Sequence, residues 1–293
     1  MTETSYGLLT VGQAAAMYAV SRSKVRYRLR VLNGSNARVY KLAWSDGTPL
    51  WAIATDGGLL ETPVQRDYVM LAPGERIDLW ADFSQRPLDS EMSLRSLPFS
   101  GGDLGMGGMS SGSLPNGAAF EVMRVRVEQQ EQEPLTLPQR LSTIDRYRVE
   151  DAVNAASPRT FTASSGGMMR WLLNGRTFEM EQVAPNEVVQ LNTLEIWELV
   201  NAVGMMEMIH PIHIHGVQFQ IVERTVLPSR AAGWETVRHG YVDEGWKDTV
   251  LLMPGERVKL MLRFADYAGL YLYHCHNLEH EDQGMMRNYL VQT

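Results

Sequence analysis

Apolar and polar residues alternate with a period of two over much of the chain after residue 24. Residues 25–32 alternate apolar and basic side chains, which predicts a half-buried β-strand. Further short strands are predicted in the first half at residues 39–42, 50–54, 64–71, 76–83 and 120–127. Turn sequences such as residues 56–58 and 72–74 separate them. Short strands at close spacing predict an antiparallel sandwich or barrel, and therefore an all-β fold.

The second half continues the same pattern. Strands are predicted at Phe178 and at residues 188–191, 196–200, 217–222, 249–253 and 258–264. Residues 252–258 repeat the Leu-x-Pro-Gly-Glu-Arg pattern of residues 71–77, which suggests two copies of one fold. We expect a first domain at 1–130, a polar, proline-bearing linker at 131–138, and a second domain at 139–293.

Composition excludes several classes of protein. Apolar residues make up 44% and charged residues 21%, as in an ordinary globular protein. A net charge of -7 argues against nucleic acid as a partner. No run of eighteen apolar residues predicts a membrane span, and the first residues have neither the basic nor the apolar region of a signal peptide. A single cysteine excludes an internal disulfide.

That cysteine, Cys275, lies between two histidines near the C-terminus. The aromatic and apolar residues 269–273 lead into it, so His274, Cys275 and His276 are expected to end a strand. Successive strand side chains point to opposite faces. His274 and His276 should therefore face one way and Cys275 the other.

Each face has further candidate metal ligands. On the cysteine face, His280 and Met285 follow in the next loop, and a thiolate, two imidazoles and a thioether form a blue-copper ligand set. Upstream, the same alternation puts His210 on one face and His213 and His215 on the other. The two predicted groups are His210, Cys275, His280 and Met285, and His213, His215, His274 and His276.

Two other chemistries fit these residues less well. Structural zinc sites usually contain Cys-x-x-Cys pairs or histidines three to five residues apart, and one cysteine cannot form such a pair. A cysteine nucleophile with a histidine base would explain only two of the residues. Copper is the favoured cofactor.

Residues 210–216 and 274–285 resemble the third-domain copper motifs of the multicopper oxidases, in the laccase and cuprous oxidase branch. Matched by position, the type 1 copper ligands would be His210, Cys275, His280 and Met285. His213 would be a type 2 ligand. The type 3 ligands would be His215, His274 and His276. Glu281 matches an acidic residue with which family members deliver protons to oxygen.

Residues 27–38 and 71–80 are similar to the second cupredoxin domain of the same family, which binds no copper. Residues 1–130 accordingly contain no histidine. The resemblance implies two cupredoxin-like, Greek-key β-sandwich or barrel domains, without the family's first domain. That domain supplies four of the eight histidines of the oxygen-reducing cluster, so this chain would supply only half of it.

The resemblance implies a laccase-like oxidase with copper as its cofactor. It would oxidise phenols, aromatic amines or Cu(I) by single electrons and reduce O₂. A homo-oligomer or a separate first-domain chain would complete the cluster. The alternative is a blue-copper electron-transfer or copper-binding protein, a remnant without oxidase activity. Family members of this branch are commonly exported, which implies a periplasmic or extracellular location.

Overall fold

The computed structural model describes residues 26–104, 115–128, 134–167, 170–204 and 206–293. Strands dominate these ranges, and the two α-helices in them are one turn or slightly longer, α1 (Ala231–Glu235) and α2 (Leu278–Asp282). The predicted all-β fold is confirmed.

The first half forms two four-stranded sheets with a shared core. Their order is β1-β6-β3-β4 and β5-β2-β7-β9. The strands of this half are β1 (Arg26–Leu32), β2 (Tyr40–Trp44), β3 (Leu50–Thr55), β4 (Gly58–Arg66), β5 (Val69–Leu71), β6 (Arg76–Asp82), β7 (Glu91–Ser96), β8 (Asp103–Leu104) and β9 (Phe120–Arg126). Leu42, Leu50 and Leu79 are among the side chains buried between the sheets. The resulting sandwich covers its apolar surface from both sides.

The second half forms two five-stranded sheets, in the order β11-β10-β13-β18-β16 and β12-β20-β19-β15-β17. Its strands are β10 (Arg159–Ser165), β11 (Trp171–Leu173), β12 (Val188–Gln190), β13 (Thr193–Asn201), β14 (Glu207–Met208), β15 (His210–Ile214), β16 (Phe219–Val226), β17 (Thr249–Leu252), β18 (Glu256–Phe264), β19 (Gly269–Cys275) and β20 (Met286–Gln292). One buried cluster, which includes Phe161, Trp197, Phe264 and Tyr289, fills the space between these sheets. Each half is a cupredoxin-like sandwich.

Several predicted strands differ from the observed ones. The single strand expected at residues 64–71 is two strands, β4 and β5, which belong to different sheets because the chain bends at Asp67 and Tyr68. Phe178 lies in a loop, so the strand predicted there is wrong. β7, β8, β10, β11, β14 and β20 were not predicted. The pattern of β20 is hidden because this strand buries the polar residues Arg287 and Asn288.

Three turns share one local structure, including the two repeated Pro-Gly-Glu segments. In each, a glutamate carboxylate accepts a hydrogen bond from the backbone N–H three residues earlier: Glu75 from Ala72 (2.7 Å), Glu187 from Ala184 (2.6 Å) and Glu256 from Met253 (2.8 Å). All three glutamates are buried. Buried carboxylates need a cation, and each has one. The cations are Lys247 for Glu75, Arg287 for Glu187 and Arg224 for Glu256.

The two halves pack directly against each other. A buried apolar cluster joins Met70 and Ala72 of the first half to Ile209, Leu251 and Met253 of the second. Beside it, Lys247 Nζ lies 3.2 Å from an oxygen of Asp56 and 3.1 Å from one of Glu75. This interface reaches the segments that contain the histidines.

Candidate metal centre

The two histidine-containing segments are neighbours in the same sheet. β15 pairs antiparallel with β19, with Ile212 opposite Cys275 and His213 opposite His274. Since His210 shares the strand face of Ile212, it lies on the cysteine side. The sheet therefore separates the histidines into the two predicted groups.

On the inner face, Cys275, His210 and His280 form a compact buried group. Cys275 Sγ lies 3.5 Å from His210 Nδ1 and 3.6 Å from His280 Nδ1. Sulfur and nitrogen ligands about 2.3 and 2.0 Å from one tetrahedral metal lie about 3.5 Å from each other. The three side chains thus have the spacing of a metal site without rearrangement.

Met285 lies in the same buried cluster as Cys275. The loop that carries it folds back onto the strand: Cys275 N–H donates to Met285 O (3.0 Å), and Met285 N–H donates to His280 O (2.9 Å). Gly284, with φ of +91°, makes the turn before it, a conformation that glycine adopts readily. The fourth predicted member of the group is therefore held beside the other three.

Two residues without a predicted role shape this group. Asn277 donates from its amide to Ile209 O (3.0 Å), which ties the cysteine loop to the residue before His210. The Trp171 ring lies 4.1 Å from that of His280, centroid to centroid, and 5.7 Å from that of His210. Asn277 lies within the cysteine-containing motif. For Trp171, the one signal in the sequence is that an aromatic residue stands in a short apolar stretch, which does not indicate contact with the histidines.

Burial controls the protonation of the inner group. Desolvation lowers the pKa of His210 well below its usual value and that of His280 to about 4. It raises the pKa of the Cys275 thiol. Both imidazoles are therefore neutral and able to donate a lone pair near pH 7, whereas a metal ion must displace the thiol proton.

On the opposite face, His213, His215 and His274 offer ring nitrogens that all lie within 4.8 Å of one another. Nε2 of His215 is 3.1 Å from Nε2 of His274. The His276 ring is farther out, 5.6 Å from that of His274 and 6.0 Å from that of His213. Its buried Nδ1 finds no hydrogen-bond partner among the described residues. The structure therefore brings three of the predicted histidines together and leaves the fourth beside them.

Hydrogen bonds orient two of these rings. His213 Nδ1 lies 2.9 Å from Asp248 O, and His274 Nδ1 lies 3.0 Å from Cys275 O. Because a carbonyl oxygen only accepts, both Nδ1 atoms must carry the proton. Each Nε2 then carries the lone pair that can bind a metal, and that of His274 lies 3.1 Å from Nε2 of His215. Burial, the largest influence, lowers the pKa values of His215 and His274 to about 4.

Two carboxylates accompany this second group. A Glu281 oxygen lies 3.3 Å from His274 Nδ1, and the side chain is partly exposed. Burial of Asp248 opposes its ionisation, but hydrogen bonds from Arg76 and His213 outweigh burial and lower its pKa. Asp248 is therefore charged at neutral pH.

The donor sets suit copper. One thiolate, two imidazoles and a nearby thioether match a soft site for copper, and clustered imidazoles suit copper or zinc. The cupredoxin-like sandwich and the Cys-His arrangement define a protein of the copper-binding cupredoxin class.

Comparison with known proteins agrees with this class. Residues 152–293 match the multicopper oxidase family. The laccase of Bacillus subtilis (strain 168) is 31% identical over 273 residues, covering 89% of this chain and 50% of its own length. The bilirubin oxidase of Albifimbria verrucaria is 32% identical, covering 89% and 44%. The crystal structure of the McoA multicopper oxidase of Aquifex aeolicus matches with a TM-score of 0.75 and 34% identity, covering 94% of this chain and 57% of that one.

The second half of the chain, residues 152–293, thus matches the multicopper oxidase family, and the similarity to the laccase and to McoA extends into the first half. The chain spans about half the length of these curated relatives. Among the helices of the described ranges, none is long and apolar enough to cross a membrane.

Proposed function

We propose that the chain acts in a laccase-like oxidase. It takes single electrons from a small reductant at the Cys275 site, and O₂ is reduced at the histidine group on the other face of the sheet. The observation that carries the proposal is the position of Cys275 between His274 and His276, whose rings lie on that other face. One short stretch of covalent backbone thereby links an electron-accepting site to an oxygen-reducing one.

The residues divide by role as the motif resemblance implies. His210, Cys275, His280 and Met285 would hold a type 1 copper. His213 would serve a type 2 copper. His215, His274 and His276 would serve type 3 coppers. Copper at these positions supplies one-electron redox chemistry and the reduction of O₂. Four one-electron oxidations of the reductant, with four protons, convert one O₂ to two waters.

Glu281 is the proposed proton carrier. Its carboxylate reaches both solvent and the ring of His274, 3.3 Å away. A carboxyl group so placed can take a proton from water and release it beside the oxygen site. The proposed reductants are phenols, aromatic amines or Cu(I), and relatives named as laccases and a bilirubin oxidase support organic reductants.

A second chain is proposed to complete the oxygen site. This sequence contributes His213, His215, His274 and His276, half of the eight histidines that the family resemblance implies. Either a second copy of the chain in a symmetric oligomer or a separate first-domain chain would contribute the rest.

The test is reconstitution with copper, followed by metal content per chain, visible spectrum, mass in solution and O₂ uptake with a phenol. With a separate first-domain chain we expect about four coppers per copy of this chain, and in a symmetric dimer that shares one cluster about five coppers per two chains. Either assembly should show an intense blue band and O₂ uptake. His210→Gln should remove the blue band and O₂ uptake. The matched control, His239→Gln, changes an exposed histidine outside both groups and should change neither.

The alternative function is that of a blue-copper electron carrier or copper-binding protein. The compact inner group favours it, because His210, Cys275 and His280 lie at ligand spacing within a single chain. One blue copper per monomer, without O₂ uptake, would support this alternative over the oxidase.

Domain boundaries and location belong to the same proposal. We place one domain at 1–130 and the other at 139–293, joined by 131–138. Two buried clusters support this division, although Leu141 and Val242 of the second domain pack against the first. Limited proteolysis should cut within 131–138 first.

We also propose that the protein works in the periplasm or outside the cell. Fractionation of the source cells tests this location.

A further inference from the structure

Asp248 joins the two halves of the molecule beside the candidate ligand His213. Its carboxylate accepts two hydrogen bonds from the Arg76 guanidinium, at 2.7 and 2.6 Å. Arg76 begins β6 in the first half, whereas Asp248 immediately precedes β17 in the second. The contact thus runs from the half whose sequence has no histidine to the half that contains all seven.

On its other side, Asp248 holds one edge of the His213 ring. The Asp248 carbonyl accepts from His213 Nδ1 (2.9 Å) and also from the Ile214 N–H (3.0 Å). The Thr249 hydroxyl donates to the Asp248 carboxylate (2.9 Å) and lies 3.0 Å from the same Nδ1. Asp248 and Thr249 together determine where the Nδ1–H can point.

Arg76 is itself fixed in place. Its guanidinium also donates to Gly74 O and to Asp56 O, both at 3.0 Å, and its backbone N–H donates to the Asp56 carboxylate at 2.8 Å. Asp56 in turn contacts the buried Lys247. A planar guanidinium held at this many points presents its paired N–H groups to Asp248 in one orientation.

We infer that Arg76 is a positioning residue for His213. By holding Asp248, it keeps the His213 proton on Nδ1 and directs Nε2 toward His215 and His274. The inference rests on the proposed function only in taking His213 as a metal ligand. It gives the half without copper ligands a direct part in building the oxygen site. Partners of this kind orient the ligand and usually change metal affinity 10–100-fold when removed.

The first test reads the His213 ring in the copper-free protein. Labelling histidine with ¹⁵N gives signals from seven residues, and His213→Gln assigns the relevant one. At about pH 8, where an unperturbed imidazole is neutral, the wild type should show His213 with its proton on Nδ1. Arg76→Ala should populate the other tautomer or broaden the signal. Arg76→Lys keeps the charge but loses the paired geometry, and should give a smaller change.

Arg28→Ala is the matched control. It removes another arginine–aspartate pair, Arg28 to Asp78 at 2.7 Å, which bridges β1 and β6 in the same sheet as Arg76. The His213 signal should be unchanged in this variant. A change equal to that of Arg76→Ala would overturn the inference, because any disturbance of the sheet would then suffice.

The second test is Cu²⁺ affinity at the histidine group, measured by competition with a chelator. Arg76→Ala should weaken it about ten-fold. A purely structural Arg76 would lower the melting temperature but leave ring signals and affinity unchanged, which would overturn the inference. If Arg76→Ala does not fold, Arg76→Lys is the deciding variant. An unchanged His213 signal in Arg76→Lys would then overturn the inference. If Arg76→Ala changes the His213 signal but the wild type binds no copper, the proposed function is contradicted and the positioning role stands.

Discussion

Cys275 Sγ lies 3.5 Å from Nδ1 of His210, a residue 65 positions earlier in the chain. Burial raises the pKa of this thiol and lowers that of the imidazole, so both groups are neutral without a metal. A bound metal must therefore release the thiol proton. The group therefore has the spacing of a metal site in the metal-free protein.

Cys275→Ser should abolish any intense blue absorption. Cys275 is the only cysteine, so this substitution removes the only thiolate that the chain can supply. The variant should also lose all oxidase activity and bind at least one copper less per chain. Visible spectra and metal analysis of copper-loaded protein check this. A blue band that persists in the variant would contradict the assignment of Cys275 as a ligand.

The copper-free protein should lose stability as the pH falls from about 6.5 to about 4. His274 and His280 have pKa values of about 4 in the folded state, below their ordinary 6.5. In this window the unfolded chain binds protons that the folded chain does not, so the free energy of unfolding decreases with decreasing pH. The stabilisation is complete above pH 6.5.

Urea unfolding at about pH 7, 6 and 5 measures this slope. His280→Gln should reduce the slope, whereas His239→Gln changes an exposed ring and should leave it as it is. An equal slope in His280→Gln and the wild type would mean that the buried ring does not contribute.

Lys247→Met should destabilise the fold by about 3–5 kcal/mol, because it leaves Glu75 buried without its cation and Asp56 with only Arg76, whose Nη1 lies 3.8 Å away. The matched control is Lys259→Met, which breaks a 2.7 Å pair with Glu223 near the surface. Exposed pairs contribute less than about 1 kcal/mol. Urea melts of both variants test the difference, and equal losses would mean that Lys247 stabilises through something other than buried charge.

Gly74→Ala should disturb the histidine group as well as the fold. Gly74 has φ of +82°, and a Cβ there would lie 2.5 Å from the His276 ring. Gly47 has a similar φ of +78°, but a Cβ at that position would meet no atom of the described residues within 4 Å, so Gly47→Ala introduces the backbone strain alone. Each should cost about 1–2 kcal/mol for the left-handed backbone.

Only Gly74→Ala should also lower copper content at the second group, as metal analysis of both variants would reveal. Equal copper content in the two variants would show that His276 does not need the space beside Gly74.

Strand alternation made much of the site predictable. The positions of Cys275 and His213 on opposite faces follow from a period of two and from the antiparallel pairing of two short segments. The sequence also predicted that His213, His215 and His274 lie together on the face opposite Cys275, whereas the ring of His276, predicted in the same group, lies farther out.

Other parts depend on long-range packing that a single sequence does not reveal. Trp171 reaches His280 because β11 joins the opposing sheet, and Arg76 reaches Asp248 because two halves of the chain meet. Residues 64–71 resemble one strand because no glycine or proline marks the bend at Asp67 and Tyr68, where the chain changes sheets. In all three cases the missing information is which distant segment lies opposite.

The three buried glutamates of the Pro-containing turns differ in where their cations come from. Glu187 and Glu256 pair with arginines of their own half, but Glu75 depends on Lys247 of the other. The neighbouring contact, Arg76 to Asp248, spans 172 positions. During synthesis the first half therefore leaves the ribosome long before Lys247 and Asp248, which pair with Glu75 and Arg76, have been added to the chain. We expect this half to stay protease-sensitive in nascent chains until residue 247 has emerged, and to become resistant only afterwards.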